Sequence, residues 1–212
     1  MREIWFALLV ALLVGAGLPA AAQAPAPKID AAKAANLLAV TPQDRILGNP
    51  KAPITIIEYA SLSCPHCAHF ENDVLPDVQK KWIDTGKARL IMRDYPLDRE
   101  ALAAEVLARC MPPARYYPLV KAMFASQPEW VPVPDWRAAL QRIAKLAGIG
   151  DKEFNACLAN KAIENEVADS RLLAYQQLGV DATPTFFING KKFEGEPTVA
   201  GFDQALAAAQ KS

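Results

Sequence analysis

Cysteines 64 and 67 stand two residues apart, between a β-branched apolar run and an apolar pattern at helical spacing, so both sulfurs fall at the mouth of a helix. Upstream, Ile54-Thr55-Ile56-Ile57-Glu58-Tyr59 reads as a central strand buried on both faces, and Asn49-Pro50-Lys51-Ala52-Pro53 punctuates its start. Glu58 is the anomaly in that strand. Downstream, Phe70, Val74, Leu75, Val78 and Trp82 keep helical spacing until Gly86, with a kink predicted at Pro76. Residues 88–93 then read as a second strand, so strand, helix and strand form a βαβ unit.

From about residue 98 to 178 the pattern is helical, broken at Pro112-Pro113, at 128–134 and at Gly148-Ile149-Gly150. Asp135 and Asp151 are the expected N-caps. Leu140, Ile143 and Ala147 mark one buried face, and Phe154, Cys157 and Leu158 another. Gly179 should end the last of these helices. Thr185-Phe186-Phe187-Ile188 follows Pro184 as a strand, and Asn189-Gly190 signals a hairpin turn toward Lys192-Phe193. A helix over about 201–209 closes the chain.

The 212 residues suffice for one domain carrying a subdomain insertion. Lys+Arg and Asp+Glu both number 23, so no basic field exists to attract nucleic acid, and no nucleic-acid role is expected. Residues 1–22 have the layout of a secretory signal peptide, with an apolar run over 4–18 and cleavage expected at Ala20-Ala21-Ala22. That run is shorter than the roughly 20 residues a spanning helix needs. Export to the periplasm is therefore expected, with a membrane anchor facing the periplasm as the alternative. Residues 23–41 read as a linker or loosely docked segment, too short for a dimerisation domain, and a monomer is expected. The functional domain runs over 42–212.

Thiolates are the reactive species in disulfide exchange, and a helix start stabilises one through its unpaired N–H groups and dipole. Cys64 sits at that start and reads as the nucleophile. Cys67, one turn in, reads as the more buried resolving thiol. Of the residues between them, Pro65 and His66, the imidazole of His66 can add a hydrogen bond or partial charge toward the Cys64 sulfur. A lowered Cys64 pKa stabilises the reduced form and makes the disulfide an oxidant. Glu58, six residues before Cys64, is placed to exchange a proton with Cys67; its other reading is a half-exposed or salt-bridged acid.

Metal capture by the run Cys64-Pro65-His66-Cys67-Ala68-His69 is the competing use of the motif, but Cys110 and Cys157 offer no matching short spacing for a closed site, and no metal is expected. Thr183-Pro184 opening an apolar strand marks either a strand start or a deliberate cis bond. Cys110 and Cys157 read as a structural disulfide, with two buried free thiols as the alternative.

The two segments Ile57-Glu58-Tyr59-Ala60-Ser61-Leu62-Ser63-Cys64-Pro65-His66-Cys67 and Gly179-Val180-Asp181-Ala182-Thr183-Pro184-Thr185-Phe186-Phe187-Ile188-Asn189-Gly190 together resemble the DsbA-like branch of the thioredoxin superfamily, over about 42–209. The resemblance implies an α/β fold, a thioredoxin-like core of central mixed β-sheet flanked by helices, with an inserted all-helical subdomain. It implies that Pro184 is cis and faces the active disulfide, that the Thr183 backbone pairs with a bound substrate strand, and that Glu58 is the buried acid. It also implies thiol-disulfide oxidoreductase activity without metal or organic cofactor. The substrates would be unfolded, cysteine-containing exported proteins, and the partner a quinone-linked membrane protein that re-oxidises the pair. Thr183 stands where the best-known oxidases of the branch commonly carry Val, and isomerase-type relatives also carry Thr there. A disulfide isomerase or reductase kept in the dithiol form is thus the first alternative, and a non-enzymatic metal-binding or chaperone protein the second.

Overall fold

The computed structural model describes residues 31–211. The signal-peptide reading of residues 1–22 lies outside them. Helix α1 (Ala31–Leu37) leads into a short strand, β1 (Ile46–Gly48), and then β2 (Ile54–Ala60). Helical residues 65–83 form α2, β3 (Ala88–Asp94) follows, and the block of helices comes next: α3 (Arg99–Cys110), α4 (Pro113–Ala125), α5 (Gln127–Trp130), α6 (Trp136–Leu146), α7 (Asp151–Leu158) and α8 (Lys161–Leu178). The chain returns to the sheet as β4 (Thr185–Ile188) and β5 (Lys191–Lys192) and ends on α9 (Val199–Ala209).

The sheet runs β1-β3-β2-β4-β5, with β2 and β3 parallel and the other neighbours antiparallel. This is a mixed sheet of thioredoxin-like order, interrupted by an all-helical insertion. β1 has little signal of its own, and it exists because Ile46 and Leu47 pair with Ile91 and Leu90 on the edge of β3. Gly48 ends it at φ +97°, where an added Cβ would stand 2.4 Å from the Ile83 side chain, so only glycine fits. Asn189 (φ 47°) and Gly190 (φ 78°) form the tight turn that their sequence signals.

Side-chain alternation along β2 divides the interior. Ile54 and Ile56 face α2 and α9, in a core with Phe70, Val74, Trp82, Phe186 and Phe202. Ile57 and Tyr59 face the opposite side, with Leu178, Val180 and Phe187. Glu58 has the parity of Ile56, so it points toward the active-site helix. A third core fills the helical insertion and reaches Leu62, Cys64 and Cys67.

Three local details depart from the pattern reading. The disturbance expected at Pro76 takes the form of two wide π-helical turns on either side of it, Phe70–Val74 and Gln79–Ile83. The Leu75 N–H reaches back to Phe70 O, so the helix runs on past the residue that lacks a donor. Asp151 is not an N-cap: Gly150 takes that position, and the Asp151 carboxylate instead accepts from Gln141 at 2.6 Å and Lys145 at 2.8 Å. Asp98 and Asp135 do cap their helices. The segment after α1 is tied down by Arg93, whose guanidinium donates to Leu37 O, Ala39 O and the Asp44 carboxylate at 2.6 to 3.0 Å.

Candidate active site

β2 ends at Ala60, and Ser61–Cys64 turn the chain into α2, with Cys64 as the last extended residue (φ −77°, ψ 122°) and Pro65 opening the helix. Both cysteines are free thiols; Cys64 is 4% exposed and Cys67 fully buried. The Thr183–Pro184 peptide is cis, and the Cys64 thiol donates to Thr183 O at 3.4 Å. The structure therefore brings the two sequence motifs into contact, and Thr183 and Pro184 are half-buried beside the reactive sulfur.

The environment splits the two thiols in opposite directions. Cys64 is lowered to about 5, first by the hydrogen bond from the Cys67 thiol, then by Thr183 and by the backbone N–H groups of Cys67 and His66, against the opposing effect of burial. The Thr183 hydroxyl is buried with no partner while Cys64 is a thiol, which leaves it available to a thiolate. Cys67 is raised far above an ordinary thiol, chiefly by burial, then by its bond to Cys64 and the Glu58 charge. Near neutral pH only Cys64 is a thiolate. His66 and Pro65 are exposed. His66 contributes through its backbone amide rather than its ring, which makes no hydrogen bond among the described residues.

The turn is held by side chains that pattern reading passed over. Gln127, buried at the start of α5, donates to Leu62 O at 2.8 Å and Cys64 O at 3.0 Å. Glu105 on α3 accepts from Leu62 N at 3.2 Å, and Ser63 donates to the Asp98 carboxylate at 2.6 Å. Ser61 and Ser63 share a hydroxyl contact of 3.1 Å. The insertion thus satisfies polar groups of the turn, including the Leu62 carbonyl, and adds a second donor to the Cys64 carbonyl, which also accepts from Ala68 N at 3.1 Å.

Glu58 is fully buried and neither carboxylate oxygen has a hydrogen-bond partner. Burial raises its pKa well above the usual carboxylate range, and the charges of Glu71 and Cys64 raise it further. This rules out a half-exposed or salt-bridged acid. Cys110 and Cys157 form a disulfide joining the end of α3 to α7. Among the described residues, no group of three or more His, Cys, Asp or Glu is placed to hold a metal ion, and no helix is long and apolar enough to cross a membrane.

A thioredoxin-like sheet that presents one acidified thiol at a helix start, against a cis-proline segment, defines a dithiol–disulfide protein of the thioredoxin class. The profile of the family described as Thioredoxin matches residues 40–208. The structure superposes on Wolbachia pipientis alpha-DsbA1 with a TM-score of 0.78 and 36% identity, covering 84% of this chain and 96% of that one. Bacillus subtilis BdbD, at 20% identity and a TM-score of 0.72 over 80% of this chain and 94% of that one, shares the fold. A Rickettsia typhi protein, named as a candidate protein-disulfide oxidoreductase, is 33% identical over 153 residues, 71% of this chain. The chain spans 56% of that relative's length, and 62% of a Rickettsia conorii counterpart. This chain belongs to the thioredoxin family, in its DsbA-like branch.

Proposed function

We propose that this protein introduces disulfides into cysteine-containing proteins after their export to the periplasm, by exchange through Cys64 and Cys67. The observation that carries the reading is a Cys64 thiol lowered to about 5 next to the Thr183 backbone. A substrate thiolate attacks Cys64 Sγ of the oxidised pair; the Cys64–Cys67 bond breaks and Cys67 leaves with the electron pair. Glu58 supplies the proton that Cys67 takes up. The substrate's second thiolate then attacks its own sulfur in the mixed disulfide. Cys64 departs as the stabilised thiolate, the substrate is oxidised and the protein is left as dithiol.

Direction follows from the stable thiolate: whatever favours the reduced form makes the disulfide the stronger oxidant. Thr183 and cis-Pro184 would align a substrate strand with the sulfur, and Pro65 and His66 would form the exposed rim it meets. The exchange calls on no metal or organic cofactor. Return to the disulfide would fall to a quinone-linked membrane partner.

A Cys64–Cys67 reduction potential clearly less negative than thioredoxin's roughly −270 mV is expected; one at or below that figure would overturn the oxidising role. Cys64→Ser should abolish oxidation of a reduced two-cysteine peptide. A protein that acts only as a holdase would keep its anti-aggregation activity after the same change.

A further inference from the structure

In the turn that leads from β2 into α2, Leu62 takes both of its backbone partners from the helical insertion. Cys64 N donates to Ser61 O at 3.1 Å and Ser63 N to Ser61 Oγ at 3.4 Å, both within the turn. Leu62 N donates instead to Glu105 Oε1 at 3.2 Å, and Leu62 O accepts from Gln127 at 2.8 Å. We propose that Glu105 is a positioning residue for Cys64, an acid of the insertion that sets the reactivity of the sulfur by fixing the Leu62 peptide two residues before it. The inference rests on the exchange reading above.

The contact is fixed from both ends of α3. Asp98, the N-cap of that helix, accepts from Ser63 at 2.6 Å and stands seven residues before Glu105, so two acids about two helical turns apart meet consecutive residues of the turn. Arg109, four residues beyond Glu105, holds the Asp94 carboxylate at the end of β3. Leu62 is fully buried, so no solvent is at hand to replace the acceptor that Glu105 supplies. Letting that peptide rotate would carry Cys64 away from the amides of His66 and Cys67, which lower its pKa.

Glu105 does this without charging the site. It is fully buried, and its Oε2 has no hydrogen-bond partner. The groups facing it are Asp94 from β3, Asp98 and Arg109 from α3, and Tyr116 from α4. Burial first, and then the Asp94 charge, raise its pKa well above the usual carboxylate range, which favours the uncharged acid. An uncharged acceptor holds the Leu62 amide and adds no negative charge behind the turn that carries the Cys64 thiolate. The geometry therefore asks for an acceptor at this point and not for a charge.

The alkylation rate of Cys64 in the reduced full-length protein, followed with iodoacetamide from pH 3 to 9, tests the assignment. Glu105→Gln keeps an uncharged acceptor and should leave the Cys64 midpoint in place. Glu105→Leu removes it and should raise the midpoint by at least about one pH unit, tenfold in thiolate at a fixed lower pH. Val106→Ala opens a cavity at the neighbouring buried position of α3 and spares the Leu62 contact, so it should lower stability and leave the midpoint unmoved. Should Glu105→Leu fail to fold, Glu105→Asp, which draws the acceptor back by one methylene, decides in its stead and should move the midpoint the same way. An unmoved midpoint in the Leu or Asp variant, a displaced one in Glu105→Gln, or a displacement in Val106→Ala as large as that in Glu105→Leu overturns the proposal. Failure of the unaltered protein to exchange with glutathione would instead overturn the exchange reading.

Discussion

Two regions of this molecule each hold a pair of cysteines, and their surroundings give the pairs opposite uses. Cys64 and Cys67 close a loop so short that joining them removes little freedom from the unfolded chain, yet the turn sets their acidities far apart. Cys110 and Cys157 are 47 residues apart and joined, one at the end of α3 and the other on α7. Joining them removes much freedom from the unfolded chain. Reactivity comes from polar groups aimed at one sulfur, and stabilisation comes from loop length.

The largest test of this contrast is pH. The folded reduced protein holds Cys64 at about 5 against an ordinary 9, so the reduced form gains stability relative to the oxidised form as pH rises from about 5 to 9, by up to about 1.4 kcal/mol per unit. The gain is lost as pH falls through about 5. Above the ordinary thiol value, the raised Cys67 reverses the trend. Paired denaturant titrations of the two redox forms check this, and a flat difference would erase the contrast.

Next, replacing Cys110 and Cys157 together by Ala should lower stability by about 4 kcal/mol while leaving Cys64 a low-pKa thiol, read by its alkylation rate against pH. A Cys64 titration that moves to the ordinary range would mean that the two regions are not separable. Smaller again is Gln127→Leu, which strips Leu62 O of its donor and Cys64 O of one of its two, and should destabilise by about 1 to 3 kcal/mol. It should also raise the Cys64 pKa, because the turn that aims the helix amides is loosened. Loss of stability with an unchanged Cys64 titration would make Gln127 a purely structural contact.

What was legible in the residues is what local chemistry writes. β2, β3 and β4 follow from β-branched apolar runs, the tight turn from Asn189-Gly190, and the end of α8 from Gly179, which sits at φ 63°. The strand–turn–helix around Cys64 is local as well. β1 was invisible because three residues become a strand only through a neighbour 45 positions away, as Ile46 does opposite Ile91. Gln127 and Glu105 look like ordinary polar residues of a helical stretch, and nothing nearby announces that they meet the Leu62 peptide groups. Its place between the cysteines points to the His66 ring, whereas the backbone amide, which any residue except proline could supply, does the contacting.

The Gln127 clamp also fixes an order of events during synthesis. Residues 61–64 are made long before residue 127, and until α5 exists the Leu62 carbonyl lacks its donor and the Cys64 carbonyl has only the Ala68 N–H. A chain cut short before that point would carry both cysteines without the full support of their turn, so the two-residue motif by itself does not carry its own scaffold.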